Sequence, residues 1–225
     1  MVVTEIFKSI QGEGTRAGLP CIFVRLTGCN LRCAWCDTEY AFYGGKKYSV
    51  AEVCENVAAL AAAEAGRTLL VEITGGEPLL QPETPELAEE LLAQGYTVMI
   101  ETSGERFIGK LPREVIKIVD VKCPDSGEAD TFDMANLPEL NRVDEIKFVI
   151  STRRDYDFAR DFTLQHRLAE RVNQVLFSPV FGDPARRWEG LEARKLVEWV
   201  LADGLPVRLG LQLHKFVWDP VTKGV

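Results

Sequence analysis

The chain has 225 residues, 46% of them hydrophobic and 27% charged, the balance of a globular protein with a substantial core. Its 26 Lys and Arg against 34 Asp and Glu leave a formal charge of −8, which argues against non-specific binding to nucleic acid or anionic membrane. No run of about 18 apolar residues is present to span a bilayer, and the opening MVVTEIFKSIQGEG lacks the basic start and long apolar core of a secretory signal. A cytoplasmic location is expected, and in a reducing compartment six cysteines point to metal or redox chemistry rather than disulfides.

In chain order, CIFVRLTG is the first predicted strand, and LTGCNLRCAWCDTEY carries the chain from it into a loop with cysteines at 29, 33 and 36. Ser49 followed by Glu52 is a capping box opening a helix through VAEVCENVAALAAAEAG, in which Val50, Val53, Cys54, Val57 and Leu60 share a face. Cys54 is therefore expected in the core. TLLVEITGG is a strand ending in a glycine turn. TPELAEELLAQG is a helix with Thr84 as its expected N-cap, Pro85 at its first position and Gly95 beyond its end. Glu86, Glu89 and Glu90 fall on its exposed face.

YTVMIETSG, IKIVDVKCP and EIKFVIS are further strands. Ser151 is expected to cap a helix over 152–168, with His166 on its solvated side. QVLFSPVFG, a helix from about Leu191 to Asp203 closed by Gly204, and PVRLGLQLHK complete the pattern. Most of these strands are rich in Val, Ile, Leu and Phe with little alternation, as in parallel strands covered on both faces. The fold class is α/β. About six strand–helix units make either an incomplete (β/α) barrel or an open doubly wound sheet, in a single domain over 1–225, with the site built by loops after the strands.

The spacing CxxxCxxC lets three thiolates converge on a soft-metal centre from one short loop. A structural zinc site would want a fourth ligand, yet Cys21 and Cys54 read as core residues and His166 and His214 are distant in sequence. A four-iron cubane takes three cysteines and leaves one iron open to a non-protein ligand. Cys123 also reads as an ordinary buried residue.

Cys29, Cys33 and Cys36, with Trp35 before the last and Gly75-Gly76-Glu77-Pro78 closing the next strand, resemble the signature of the radical S-adenosylmethionine superfamily. IQGEG, FVRLTGCN, WCDT, TGGEP, IETSG, VDVKCP, EIKFVIS and LQLHK together resemble the 7-carboxy-7-deazaguanine synthase family along nearly the whole chain. That resemblance implies a minimal (β/α) barrel assembled as a homodimer, and a radical ring contraction of 6-carboxy-5,6,7,8-tetrahydropterin to 7-carboxy-7-deazaguanine with loss of ammonia. It implies a 4Fe-4S cluster on Cys29, Cys33 and Cys36, S-adenosylmethionine at Gly76 and at Lys122, Cys123 and Pro124, and Mg²⁺ on Thr38. Ile10, Gln11, Gly12, Arg25 and Thr74 are the implied substrate contacts, and an electron donor such as flavodoxin is the implied partner. VDVKCP departs from the Ser-Pro-Lys wording of other branches, FSPVFG from a Gln-Pro pair, and the tail WDPVTKGV, with Pro220, carries no assigned role. A glycyl-radical activase and a non-catalytic zinc module are the alternatives; the first has no use for IQGEG with Arg25 and Thr38, and the second leaves GGEP unexplained.

Overall fold

The computed structural model describes residues 1–62, 69–183, 185, 188–220 and 222–224. Their strands form one sheet: β1 (Val2–Ile10), β2 (Pro20–Leu26), β3 (Lys46–Lys47), β4 (Leu70–Gly75), β5 (Thr97–Thr102), β6 (Ile116–Asp120), β7 (Glu145–Ile150), β8 (Gln174–Pro179) and β9 (Arg208–Leu209). The spatial order is β3-β1-β2-β4-β5-β6-β7-β8-β9. β2 and β4 to β9 run parallel, while β1 pairs antiparallel with β2 and β3. All seven expected strands are present. β1 and β3 are additions that sequence periodicity does not reveal. The two edges do not meet, which is an incomplete barrel rather than a closed one.

Helices α1 (Val50–Ala61), α2 (Thr84–Ala93), α3 (Arg153–Gln165) and α4 (Ala193–Asp203) follow strands along the chain, and a short α5 (His214–Val217) comes after β9. Alternate strand residues face these helices. Ile22, Val24, Leu26, Val71, Ile73, Val98, Ile100, Ile146 and Phe148 form the main core with Val53 and Val57 of α1, Leu87 and Leu91 of α2, and Tyr156 and Ala159 of α3. The intervening residues face the other way: Cys21, Phe23, Leu70, Met99, Ile116 and Ile118 form a second apolar cluster inside the curl of the sheet. Cys54 is buried as expected.

The capping box at Ser49 forms, with Glu52 N–H donating to the serine hydroxyl and the Glu52 carboxylate accepting from Ser49 N–H. The end of this helix expected at 63–66 lies outside the described residues. Two expected caps move by one residue. Glu83 occupies the N-cap of α2, because the Thr84 hydroxyl instead donates to the Pro78 carbonyl at 2.7 Å. Thr152 caps α3 by accepting from Asp155 N–H, while Ser151 donates its N–H and hydroxyl to the fully buried Asp155 carboxylate. The helix stops at Gln165, where Arg167 takes a left-handed conformation, and half-buried His166 packs on Phe162. Gly204 closes α4 in the left-handed conformation, as expected. No helix among the described residues is long and apolar enough to cross a membrane.

Candidate active site

The β1–β2 connection lies where the parallel strands begin, since Ile10 pairs with Pro20 at the start of β2. It folds under the sheet and is fastened by charge. Fully buried Glu145 accepts from the Thr15 N–H and hydroxyl and pairs with Arg16 at 3.2 Å. Lys147 pairs with Glu13 at 2.8 Å and with Glu101. Gln11 donates its amide to Glu72 and accepts the Glu13 N–H on its amide oxygen. This loop is the floor of a pocket whose mouth is the cysteine loop at the opposite end of β2.

The inward wall of the pocket is written in the strand register. Phe23 of β2 lies beside Glu72 of β4, and one tier nearer the mouth Arg25 lies beside Thr74. Glu101, Asp120 and Lys147 continue the wall on β5, β6 and β7, where Asp120 and Lys147 are register partners. Phe23 also stacks on Phe7 at 5.0 Å, an apolar plate beside the charged groups. Arg25 gives its Nε–H to Glu5 at 2.8 Å, and its guanidinium lies over the rings of Phe7 and Tyr40.

The mouth combines two turns. Cys29, Cys33 and Cys36 are each half-buried and line the pocket together. Their loop is pinned through its backbone: Gly28 N–H donates to Ala41, Ala34 N–H to Ser126, and Cys36 N–H to Cys33. Glu77 N–H donates to the Gly28 carbonyl at 2.8 Å, so the glycine turn after β4 sits directly on the cysteine loop. A Cβ on Gly76 would collide with the Gly28 carbonyl oxygen and lie 2.6 Å from Cys29 Cβ. The glycine is there because two backbones touch. Gly76→Ala is therefore expected to reduce both the iron held per chain and S-adenosylmethionine affinity, the latter by about tenfold or more, as read by iron assay and equilibrium dialysis; unchanged values in both would sever this turn from the centre.

Buried Glu77 clamps the arrangement from behind, accepting from Leu79 N–H, the Thr102 hydroxyl, and the Ser103 N–H and hydroxyl. Burial pushes all three cysteine thiols above their ordinary range, Cys36 to about 11, and the Lys122 ammonium opposes that rise at each. Lys122, itself bonded to Asp120 at 2.7 Å, is thus the cation that favours thiolates here. Among the described residues no three His, Cys, Asp or Glu close to the spacing of a single metal ion. A cubane holds its cysteines farther apart than one ion does, and three half-buried thiols around one mouth beside a fixed cation suit it.

A Radical SAM superfamily model matches residues 23–122, the stretch from β2 to Lys122. A relative from Koribacter versatilis named 7-carboxy-7-deazaguanine synthase is 55% identical over 231 residues, covering 100% of both chains. The chain belongs to the 7-carboxy-7-deazaguanine synthase family. A second synthase, from Chlorobaculum tepidum, is 40% identical across 99% of this chain and 96% of its own. The crystal structure of QueE from Escherichia coli superposes with a TM-score of 0.69 at 25% identity, over 95% of this chain and 94% of that one. Membership makes the chain a radical S-adenosylmethionine enzyme, and the 4Fe-4S cluster and S-adenosylmethionine are its family cofactors.

Within this synthase fold, Ile10, Gln11, Gly12, Arg25, Thr74, Gly76, Thr38 and Lys122 all line the pocket. Cys123 does not: it is 1% exposed and belongs to the main core, while Pro124 begins a short 3-10 turn. Thr38 donates its hydroxyl to Asp37 at 2.9 Å, and Asp37 pairs with Lys215 at 2.7 Å. Burial would raise the Asp37 carboxyl, but Lys215, Thr38 and His214 hold it below the usual range.

Sequence reasoning leaves the tail and the charged wall unassigned. Leu213 N–H donates to the Gly12 carbonyl, Gln212 donates to Glu13 at 3.0 Å, and His214 packs where a side chain on Gly12 would stand. With Lys215 on Asp37, residues 212–215 span from the floor to the cysteine loop, and Pro220 also lines the pocket. The signal for the wall is present in the strands themselves: Glu72, Glu101, Asp120 and Lys147 each interrupt an otherwise Val- and Ile-rich strand that should be buried.

Proposed function

We propose that this chain carries out the ring contraction of 6-carboxy-5,6,7,8-tetrahydropterin to 7-carboxy-7-deazaguanine, with loss of ammonia, as one domain over residues 1–225. The observation that carries the reading is the meeting, in one pocket, of the cysteine loop, the Gly75–Gly76 turn and the inward wall of Arg25, Thr74, Glu72, Glu101 and Lys147. Cys29, Cys33 and Cys36 would hold the cluster, which when bound would supply the electron for cleaving S-adenosylmethionine and so the radical chemistry that removes hydrogen from carbon 6 of the pterin.

The chain's own residues then bind, orient and exclude water. Gly76 and Lys122 hold S-adenosylmethionine at the mouth, next to the cysteines. Arg25 takes the pterin carboxylate, with Thr74 beside it, because a planar guanidinium suits a carboxylate. Ile10 and Gly12 form the floor against the ring, and residues 212–215 shield the side of the pocket. Thr38 offers a hard oxygen for Mg²⁺ at the edge where the substrate carboxylate would lie, and the adjacent Asp37 adds local negative charge. A flavodoxin-like donor, a cytoplasmic location and a homodimer belong to the same proposal. The exposed Leu211, Phe216 and Val217 supply apolar surface for self-association.

The test is anaerobic turnover of iron–sulfide-reconstituted protein with reductant, magnesium, S-adenosylmethionine and 6-carboxytetrahydropterin, followed by mass spectrometry. 5′-Deoxyadenosine and 7-carboxy-7-deazaguanine are expected together. Deoxyadenosine without the deazapurine would overturn the substrate.

A further inference from the structure

The Gln11 amide is held at both ends, its nitrogen donating to the Glu72 carboxyl and its oxygen accepting from Glu13 N–H. What the amide does is fix Glu72, which is 3% exposed, lines the pocket, and makes no ion pair among the described residues. Lys147, the cation that acts on it most among the described residues, is taken by Glu13 and Glu101 and lies 3.9 Å from Asp120. A buried carboxyl that the protein orients but does not neutralise is arranged for something else.

The inference rests on the pterin reading above. We propose that Glu72, oriented by Gln11, is the specificity residue that reads the 2-amino-4-oxopyrimidine edge of the pterin. That edge presents two parallel N–H donors, the exocyclic amine and N3–H, and a carboxylate presents two matching acceptors. The register supplies the rest. Arg25 and Thr74 stand two residues nearer the mouth than Phe23 and Glu72, about 6.6 Å along parallel strands. A flat molecule with a carboxylate at one end and a donor edge at the other can lie along this wall, its ring against Phe23.

The electrostatics agree. Burial pushes the Glu72 carboxyl up to about 8; the charges of Glu101 from β5 and Glu13 from the floor add to the rise, while the Gln11 amide and Lys147 from β7 oppose it. The Cys21 thiol of β2 is a further titratable neighbour, itself raised by burial and by Glu72. Glu72 is therefore protonated in the empty pocket at neutral pH. A paired donor edge favours the ionised form, so binding sends one proton to solvent and affinity climbs as pH rises toward about 8.

Reconstituted enzyme is titrated calorimetrically with 6-carboxypterin, which keeps the edge but does not react, and with 6-carboxylumazine, in which oxygen replaces the 2-amino group. Two buffers of different ionisation heat report protons released. Wild type is expected to release a proton with the pterin and to bind the lumazine about tenfold or more weakly. Glu72→Gln should weaken the pterin by about tenfold or more, release no proton and lose most of the discrimination, with S-adenosylmethionine affinity unchanged. Glu72→Asp, which keeps the charge on a shorter arm, should fall between them. Discrimination equal in wild type and Glu72→Gln, or no proton release in wild type, overturns the role of Glu72 alone. Wild type that binds neither compound yet still cleaves S-adenosylmethionine overturns the pterin reading itself.

Discussion

Cys33→Ala is expected to give a folded protein that assembles no four-iron cluster and forms 5′-deoxyadenosine at least about three orders of magnitude more slowly. The fold should survive because the loop does not depend on the thiol. Its fastenings are Gly28 N–H to Ala41, Ala34 N–H to Ser126, and Arg32 N–H to the Glu128 carboxylate at 2.6 Å, all of which alanine leaves in place. Cys33 also lies outside both apolar clusters. The cluster would have no such redundancy, since a cubane on this loop would take one iron per cysteine and none of the other cysteines lines the pocket. Visible absorption and iron content report the cluster, and circular dichroism reports the fold. A Cys33→Ala protein with a full complement of iron and normal deoxyadenosine formation would remove Cys33 from the ligand set.

Lys147→Met should destabilise the chain by about 3–5 kcal/mol at neutral pH, or roughly 6–20 °C in Tm for a protein of this size. The ammonium is 6% exposed and is shared by Glu13, Glu101 and Asp120. Removing it strands the half-buried Glu13 and Glu101 carboxylates and leaves Asp120 to Lys122 alone. The pH dependence that Glu13 contributes should change sign with it. In the wild type, burial would raise Glu13, yet Lys147, His214 and Gln212 bring it down to about 2. Its contribution is therefore present above the ordinary carboxylate range and lost as pH falls toward 2.

Without Lys147, burial and mutual repulsion outweigh the remaining Gln212 and His214 contacts of Glu13, and Glu101, which burial already raises in the wild type, rises further. The folded-state values then lie above the unfolded ones, so stability falls as pH rises. The gap between wild type and variant should widen from about pH 5 to about pH 8, and melting curves of the two cluster-free proteins measure it. A deficit independent of pH would mean that Lys147 contributes packing rather than charge.

Much of the fold is readable because its signals are local. The seven parallel strands are short apolar runs bounded by turns, and Ser49 with Glu52 is a capping box within four residues. VVTEIFKSI is harder to read: β1 lies antiparallel near an edge, is mostly half-buried, and mixes Thr, Glu, Lys and Ser with its apolar residues. Thr84 and Ser151 misplace two caps because their hydroxyls found acceptors other than the helix end, a choice made by tertiary packing. The mouth of the site is legible for the same reason as the strands, since the cysteines and the glycine turn are each contiguous. Ile10, Gln11 and Gly12 of the floor are marked by the contiguous IQGEG, but the contacts that fasten the floor and the tail are not legible, because Lys147 reaches Glu13 across 134 residues and Lys215 reaches Asp37 across 178. Such pairings follow from where the curled sheet brings its ends, and no spacing within the chain encodes them.

The outer strands β3 and β9 are each two residues long. A sheet that stops short of closing has two rims where backbone N–H and C=O groups could recruit a foreign strand, the usual opening for fibrous or runaway association. β3 and β9 by themselves offer too short a ladder for that, though β3 pairs with only Val2 and Val3 of the nine-residue β1. Along the rest of that rim it is the Thr, Glu, Lys and Ser side chains of β1, polar or charged, that discourage a foreign strand.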